Sequence, residues 1–218
     1  MQEPQETRAE HGAPPSFLYF DLGNVLLYFS HDRMCRQLAE VIGVEADAVR
    51  RLLFDTPLEL DCEYGRISNE QFYEALCAEF NCRPDYQRLA VAGSDIFHVN
   101  VTMRAVLGQL IAARHRVGLL SNTSDLHWQF FADGRYSMIP DAFECVALSF
   151  RLGRMKPERE IYLEAAELAG VAPEEVFYVD DVAANVHGAR EAGFDAVQYT
   201  STPQFVADLR ARGIPFNY

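Results

Sequence analysis

The chain has 218 residues, of which 49% are hydrophobic and 23% charged. That balance is ordinary for a soluble globular protein and excludes a mainly disordered chain, a collagen and a coiled-coil rod. Nineteen Lys and Arg against 32 Asp and Glu leave a formal charge of −13, which argues against non-specific nucleic-acid binding and against docking on anionic lipid.

In chain order, residues 1–15 come first, rich in Glu, Gln and Pro and without an apolar h-region. They read as a loose tail and not as a secretory signal. Five short apolar runs follow, at 17–20, 117–120, 143–149, 176–179 and 196–200. They are continuous rather than alternating, as strands buried on both faces of a parallel sheet are. Amphipathic stretches at 102–114, 158–169, 183–192 and 203–212 separate or follow the later runs. The alternation predicts a Rossmann-like, doubly wound α/β sheet. Between the first two runs, about 80 residues carry no convincing strand. Helical spacing of apolar residues at 34–42, 46–54, 69–80 and 86–94, with turns at Gly43, Pro57, Gly65 and Pro84, predicts an all-helical insert. The expected division is a tail at 1–15, a core at 16–29 and 101–218, and an inserted cap at 30–100. Ligands in open α/β sheets bind beyond the carboxyl ends of the strands. An insert rooted there can cover the site as a lid.

No run approaches the ~20 apolar residues that span a bilayer. The five cysteines form no CxxC pair and read as free thiols of a reducing cytosol.

Polar residues stand directly at or shortly after four of the run ends: Asp21, then Ser121 and Asn122, then Lys156, then Asp180 and Asp181. Each has another use when taken alone. A strand-end carboxylate or hydroxyl often caps a helix, and a Lys before Pro is commonly a solvated surface group. The adjacent pair Asp180–Asp181 differs, because two acids after a buried run repel unless a cation or donors compensate. A parallel sheet brings all four ends to one edge. Three carboxylates, one ammonium, one hydroxyl and one amide there outline a magnesium and phosphate site.

The four segments FDLGNVL, LLSNTS, RMKPEREIY and YVDDVAAN, in that order on those elements, make the chain resemble the haloacid dehalogenase-like (HAD) hydrolases with a helical cap. Within them it is similar to the sugar-1-phosphate phosphatases. The resemblance covers about residues 17–200. It implies a Mg²⁺-dependent phosphatase acting on a small phosphorylated metabolite, with no nucleic-acid or membrane partner, in the cytoplasm. Asp21 would be the nucleophile, forming an aspartyl phosphate. Asp21, the Gly23 carbonyl and Asp181 would hold the metal, and Asp180 would assist through a metal water or by orienting Lys156. Ser121 and the Asn122 backbone would hold phosphoryl oxygens, and Lys156 would offset charge between nucleophile and phosphoryl group. Asn185 would steady the fourth segment or cap its helix. In the insert, YGRIS matches a loop that faces the site in such relatives. Tyr64 and Arg66 are therefore specificity candidates, with an ordinary exposed turn around Gly65 as the alternative.

The sequence departs from the family at Gly23, where the usual first motif, DxDGT, has a second Asp that protonates the leaving group. A general acid contributes ~10²–10⁴-fold. Three readings follow: a phosphatase for good leaving groups, aided by another group such as His98 or His127; a metal-independent 2-haloacid dehalogenase; or a weak catalyst that binds a phosphometabolite or a partner. Three converging carboxylates favour the first, since without a metal at least one pKa would rise markedly.

Overall fold

A computed structural model describes residues 14–136 and 139–217. The tail expected at 1–15 lies outside these except for its last two residues. The main sheet comprises β1 (Phe17–Phe20), β4 (Val117–Ser121), β5 (Cys145–Leu148), β6 (Val176–Asp180) and β7 (Asp195–Gln198). All pairings are parallel and the order is β5-β4-β1-β6-β7. The continuous apolar runs are explained by the pleat, because side chains alternate between two covered faces. Leu18, Phe20, Leu119, Phe177 and Val179 enter one apolar cluster, whereas Phe17, Tyr19, Leu120, Val176 and Tyr178 enter the other. Gly118 sits on the second face, where a Cβ would meet the Phe17 and Tyr19 rings at 2.6 Å. No larger residue fits the β1–β4 contact at that point.

Two strands are shorter than their apolar runs. The 143–149 run yields a strand only over Cys145–Leu148, because Ser149 opens the short helix α8 (Ser149–Leu152). The 196–200 run shifts to Asp195–Gln198.

The insert is helical. It holds α1 (His31–Ile42), α2 (Ala46–Phe54), α3 (Leu58–Glu63), α4 (Asn69–Phe80) and α5 (Tyr86–Ser94). The Ser30 hydroxyl caps α1 by accepting from the Arg33 amide, and Gly43 ends it in the left-handed conformation. Ser68 and Gln71 form a reciprocal capping box on α4. The helices close over their own apolar cluster, including Met34, Leu38, Val49, Leu53, Phe72 and Leu76. The chain leaves and re-enters the sheet layer through an antiparallel ribbon of β2 (Leu27–Tyr28) and β3 (His98–Val99). The sequence pattern had marked neither strand.

The remaining helices are α6 (Val101–Ala112), α7 (Asp125–Phe131), α9 (Arg159–Ala169), α10 (Ala183–Glu191) and α11 (Thr202–Ala211). Among the described residues, no helix is long and apolar enough to cross a membrane.

Candidate active site

Three strands deliver their carboxyl ends to one place, and Lys156 reaches it from the loop after α8. The Lys156 ammonium is buried and donates to Asp21 Oδ1 at 2.7 Å, Asp180 Oδ2 at 2.7 Å, the Tyr178 hydroxyl at 3.0 Å and the Leu120 carbonyl at 3.2 Å. Its backbone is held as well. The Asn122 amide accepts from the Lys156 N–H at 2.9 Å and donates to the Lys156 carbonyl at 3.0 Å. The Asn122 side chain is thus spent on positioning Lys156, which leaves only its backbone for a ligand.

Asp180 is completely buried and its oxygens are heavily used. Besides Lys156 it accepts from the Tyr178 hydroxyl, from the Val182 N–H at 2.8 Å and from Asn185 Nδ2 at 3.2 Å. Burial opposes its charge, yet Lys156 and these donors outweigh burial and hold the carboxyl below its ordinary range. Of the two uses the sequence allowed for Asp180, orienting Lys156 is the one its contacts make. The Asn185 contact likewise ties the start of α10 to Asp180.

Burial pushes Asp21 up to about 7 against the pull of Lys156, with Asp180 and Asp181 adding to the rise. Burial also raises Asp181, which is half-buried, while Asn24 Nδ2 at 3.1 Å opposes the rise. Asn24 reaches it from a left-handed backbone conformation, φ 54°, one that Asn tolerates better than most residues. Carboxylate oxygens of Asp21, Asp180 and Asp181 all lie within 4.8 Å of one another. An all-oxygen, strongly anionic donor set of this kind suits a hard divalent cation. Such an ion would restore the ionised form of Asp21. Asp21 and Asp181 have the freer oxygens for it.

Beside this cluster lies a partly enclosed cavity of about 50 Å³. Its floor includes Gly23, Ser121, Asn122 and Thr123, and its roof is Phe29, at the edge of the core, with His31, Glu59, Glu63 and Phe97 of the insert. The Ser121 hydroxyl is buried at the end of β4 and donates to the Asn122 carbonyl at 3.3 Å. Glu59 and Glu63 escaped the sequence reading because α3 is only six residues long and follows Pro57, read there as a turn. Their spacing of four, next to a helix-starting Pro, was the available signal.

The two insert residues singled out from the sequence do not line the cavity. Tyr64 donates to the Glu158 carboxylate across the insert-to-core contact. Arg66 is exposed, pairs with Asp61 at 2.9 Å and lies over the Tyr64 ring at 3.9 Å. Gly65 between them adopts φ +66°, and a Cβ there would meet the Phe150 carbonyl at 2.1 Å. Only glycine permits that close approach.

The histidines offered as proton donors are also placed elsewhere or engaged. His98 is an exposed residue of β3, packed against Tyr28. His127 borders the cavity, but its Nε2 lies 3.1 Å from the Gly93 carbonyl and burial pushes its pKa down to about 4. A carbonyl only accepts, so the single N–H of this neutral ring is committed to Gly93.

The chain is similar to several known proteins. The chain is 26% identical over 201 residues to a D-ribitol-5-phosphate phosphatase of Bacteroides thetaiotaomicron, covering 88% of this chain and 94% of the relative. A point variant of a HAD family enzyme from the same organism, solved with magnesium and inorganic phosphate, superposes with a TM-score of 0.74 at 25% identity. That alignment covers 87% of this chain and 95% of the other. The L-2-haloacid dehalogenase of Xanthobacter autotrophicus shares the fold at a TM-score of 0.60 and 20% identity, over 92% of this chain and 84% of that one. Residues 19–193, which carry the four strand-end segments and the insert between them, match the haloacid dehalogenase-like hydrolase family, and the chain belongs to it.

Proposed function

We propose that the protein is a Mg²⁺-dependent phosphomonoesterase for a small phosphorylated metabolite, a sugar or polyol phosphate, working through an aspartyl phosphate. The observation that carries this reading is the Asp21–Lys156–Asp180 constellation, with Asp181 closing a three-carboxylate cluster within 4.8 Å. A hydrolase that needs no cation gains nothing from concentrating three buried or half-buried acids, which sets the dehalogenase reading behind the phosphatase.

Asp21 attacks phosphorus through the carboxylate oxygen not bound to Lys156. Lys156 neutralises charge shared between Asp21 and the transferring phosphoryl group. Ser121 and the Asn122 backbone receive the remaining phosphoryl oxygens. Asp21, Asp181 and the Gly23 carbonyl would hold Mg²⁺, which would screen the negative charges that meet there. Asp180 acts by keeping Lys156 charged and aimed. Residues 30–100 serve as the cap over the core formed by 16–29 and 101–218. Tyr64 helps to seat that cap, and Arg66 supports Tyr64. The five cysteines form no disulfide, which suits a reducing, cytoplasmic setting.

The test is a phosphate-release screen over common phosphometabolites, with Mg²⁺ and with EDTA. Release that requires Mg²⁺ and favours polyol or sugar phosphates is expected. Halide release from 2-haloacids without any phosphate release would establish the dehalogenase instead.

A further inference from the structure

An ester whose leaving group is an alkoxide departs only with a proton, and the loop after β1 has no acid to give one. Gly23, two residues after Asp21, carries no side chain. Four titratable groups line the cavity: His31, Glu59, Glu63 and His127. The N–H of His127 is committed to Gly93. His31 is held below its ordinary range by burial and by Arg50, so it is a neutral ring at pH 7 and a poor acid. Two carboxyls remain. They stand one turn apart on α3 and face the same cavity as Gly23, Ser121 and Asn122. Among the described residues, neither is engaged in an ion pair or a side-chain hydrogen bond.

We propose that Glu63, paired with Glu59, is the general acid that protonates the leaving oxygen. This rests on the phosphatase reading. Glu63 is the member of the pair that feels the charge of Lys156, and Lys156 touches the nucleophile. Glu59 instead feels the charge of Glu63, so it keeps its own proton once Glu63 has ionised. Burial pushes Glu63 up to about 7 and Glu59 up to about 8, so the pair retains protons near neutrality. The other titratable groups around it are His31, His127, Cys35 and Cys62. At neutral pH both histidines are uncharged, and burial raises both thiols.

The steps balance. As Asp21 forms its bond to phosphorus, the ester P–O bond breaks and the departing oxygen takes the Glu63 proton, giving an alcohol and a Glu63 carboxylate. That carboxylate then removes a proton from the water that attacks the aspartyl phosphate. Inorganic phosphate leaves, Asp21 is freed and Glu63 is again protonated. Because the acid arrives on the insert, the site is complete only when α3 is seated.

The experiment compares kcat/KM for p-nitrophenyl phosphate and a series of alkyl phosphates, with Mg²⁺, in the native protein and in Glu63→Gln, Glu63→Asp and Glu59→Gln. Glu63→Gln should lower the alkyl esters about 10²-fold more than the aryl ester, and Glu63→Asp should recover part of that difference. Glu59→Gln should lose far less of that difference than Glu63→Gln, since the charge of Lys156 acts on Glu63 and not on Glu59. An equal loss on every ester, or no loss on alkyl esters, would overturn the assignment while leaving the phosphatase intact. A native protein that releases phosphate from none of them would overturn the phosphatase reading and this one together.

Discussion

Lys156 and Asp180 form a buried unit in which each charge depends on the other, since the lysine side chain is 1% exposed and the aspartate 0%. Removing one partner of such a pair strands the other in a medium that solvates it poorly, at a cost of about 3–5 kcal/mol. Asp180→Ala should therefore lose stability of that order in urea unfolding, although Asp180 is not the nucleophile. A loss below about 1 kcal/mol would show that Asp21 alone suffices to hold the ammonium. Asp21→Asn, nearly isosteric and still an acceptor for Lys156, should keep the fold by circular dichroism and lose about 10⁴-fold or more in phosphate release. Full activity in that variant would refute the covalent mechanism. Asp21, Ser121, Lys156 and the acid pair are legible in the sequence because each stands at or near the end of a continuous apolar run. Asn24 and the Asn122 clamp are not, since their roles depend on backbone conformation and on a partner far along the chain. Gly23 illustrates the same limit. Its backbone is outside the left-handed region, and the obstacle to a side chain is the Phe29 ring, 2.9 Å from an added Cβ.

Helix α3 brings two carboxyls to the roof without a cation of its own to keep them ionised, and that has a thermodynamic signature. Glu59 and Glu63 bind protons more tightly in the folded protein, with values near 8 and 7 against an ordinary 4.5. Between those limits the folded state holds more protons than the unfolded one. The stability this confers is complete below about 4.5 and is lost as pH rises through about 7 to 8. Glu59→Gln removes one such proton, so it should gain stability relative to the native protein as pH rises from about 5 to about 8. Urea midpoints for both proteins at the two ends of that range check this, and parallel curves would refute it. The strands of the main sheet are easy to read because both faces are covered and the apolar signal is unbroken. By contrast, α3 is shorter than two turns and gives no periodicity to detect. The two-residue strands β2 and β3 exist only because each supplies the other's ladder.

At the scale of the molecule, access to the site depends on whether the insert can swing away from the core. A cavity of about 50 Å³ holds a few water molecules, so a substrate of the proposed class enters it only if the roof lifts. The connections tell where it can bend. On the return path Asn100 is buried and locked to the core, donating to the Val25 carbonyl at 2.9 Å and to the Tyr199 hydroxyl at 3.0 Å. Asp95 belongs to the insert, held by Arg33 at 2.9 Å and by Gln37 at 3.2 Å. Rotation is thus confined to 96–99 on one side and to the short stretch between Leu27 and the Ser30 cap on the other. Both stretches lie at or just inside the insert boundaries, 29/30 and 100/101, expected from the sequence. Three polar clasps oppose the motion: Tyr64 to Glu158, Asn69 to Asp125 at 2.7 Å, and the buried His127 Nε2 to the Gly93 carbonyl at 3.1 Å. The first two are partly solvated, so each contributes modestly. Removing both in Tyr64→Phe with Asn69→Ala should shift the population toward the open form. Small-angle scattering should then give a larger radius of gyration for the double variant than for the native protein, and Mg²⁺ with inorganic phosphate should reverse the difference by closing the roof on a bound anion. Identical scattering of the two proteins, with and without phosphate, would mean that the apolar contacts of Phe29 and Phe97 and the buried His127–Gly93 bond hold the roof down, and that substrate reaches Asp21 without rotation of the insert.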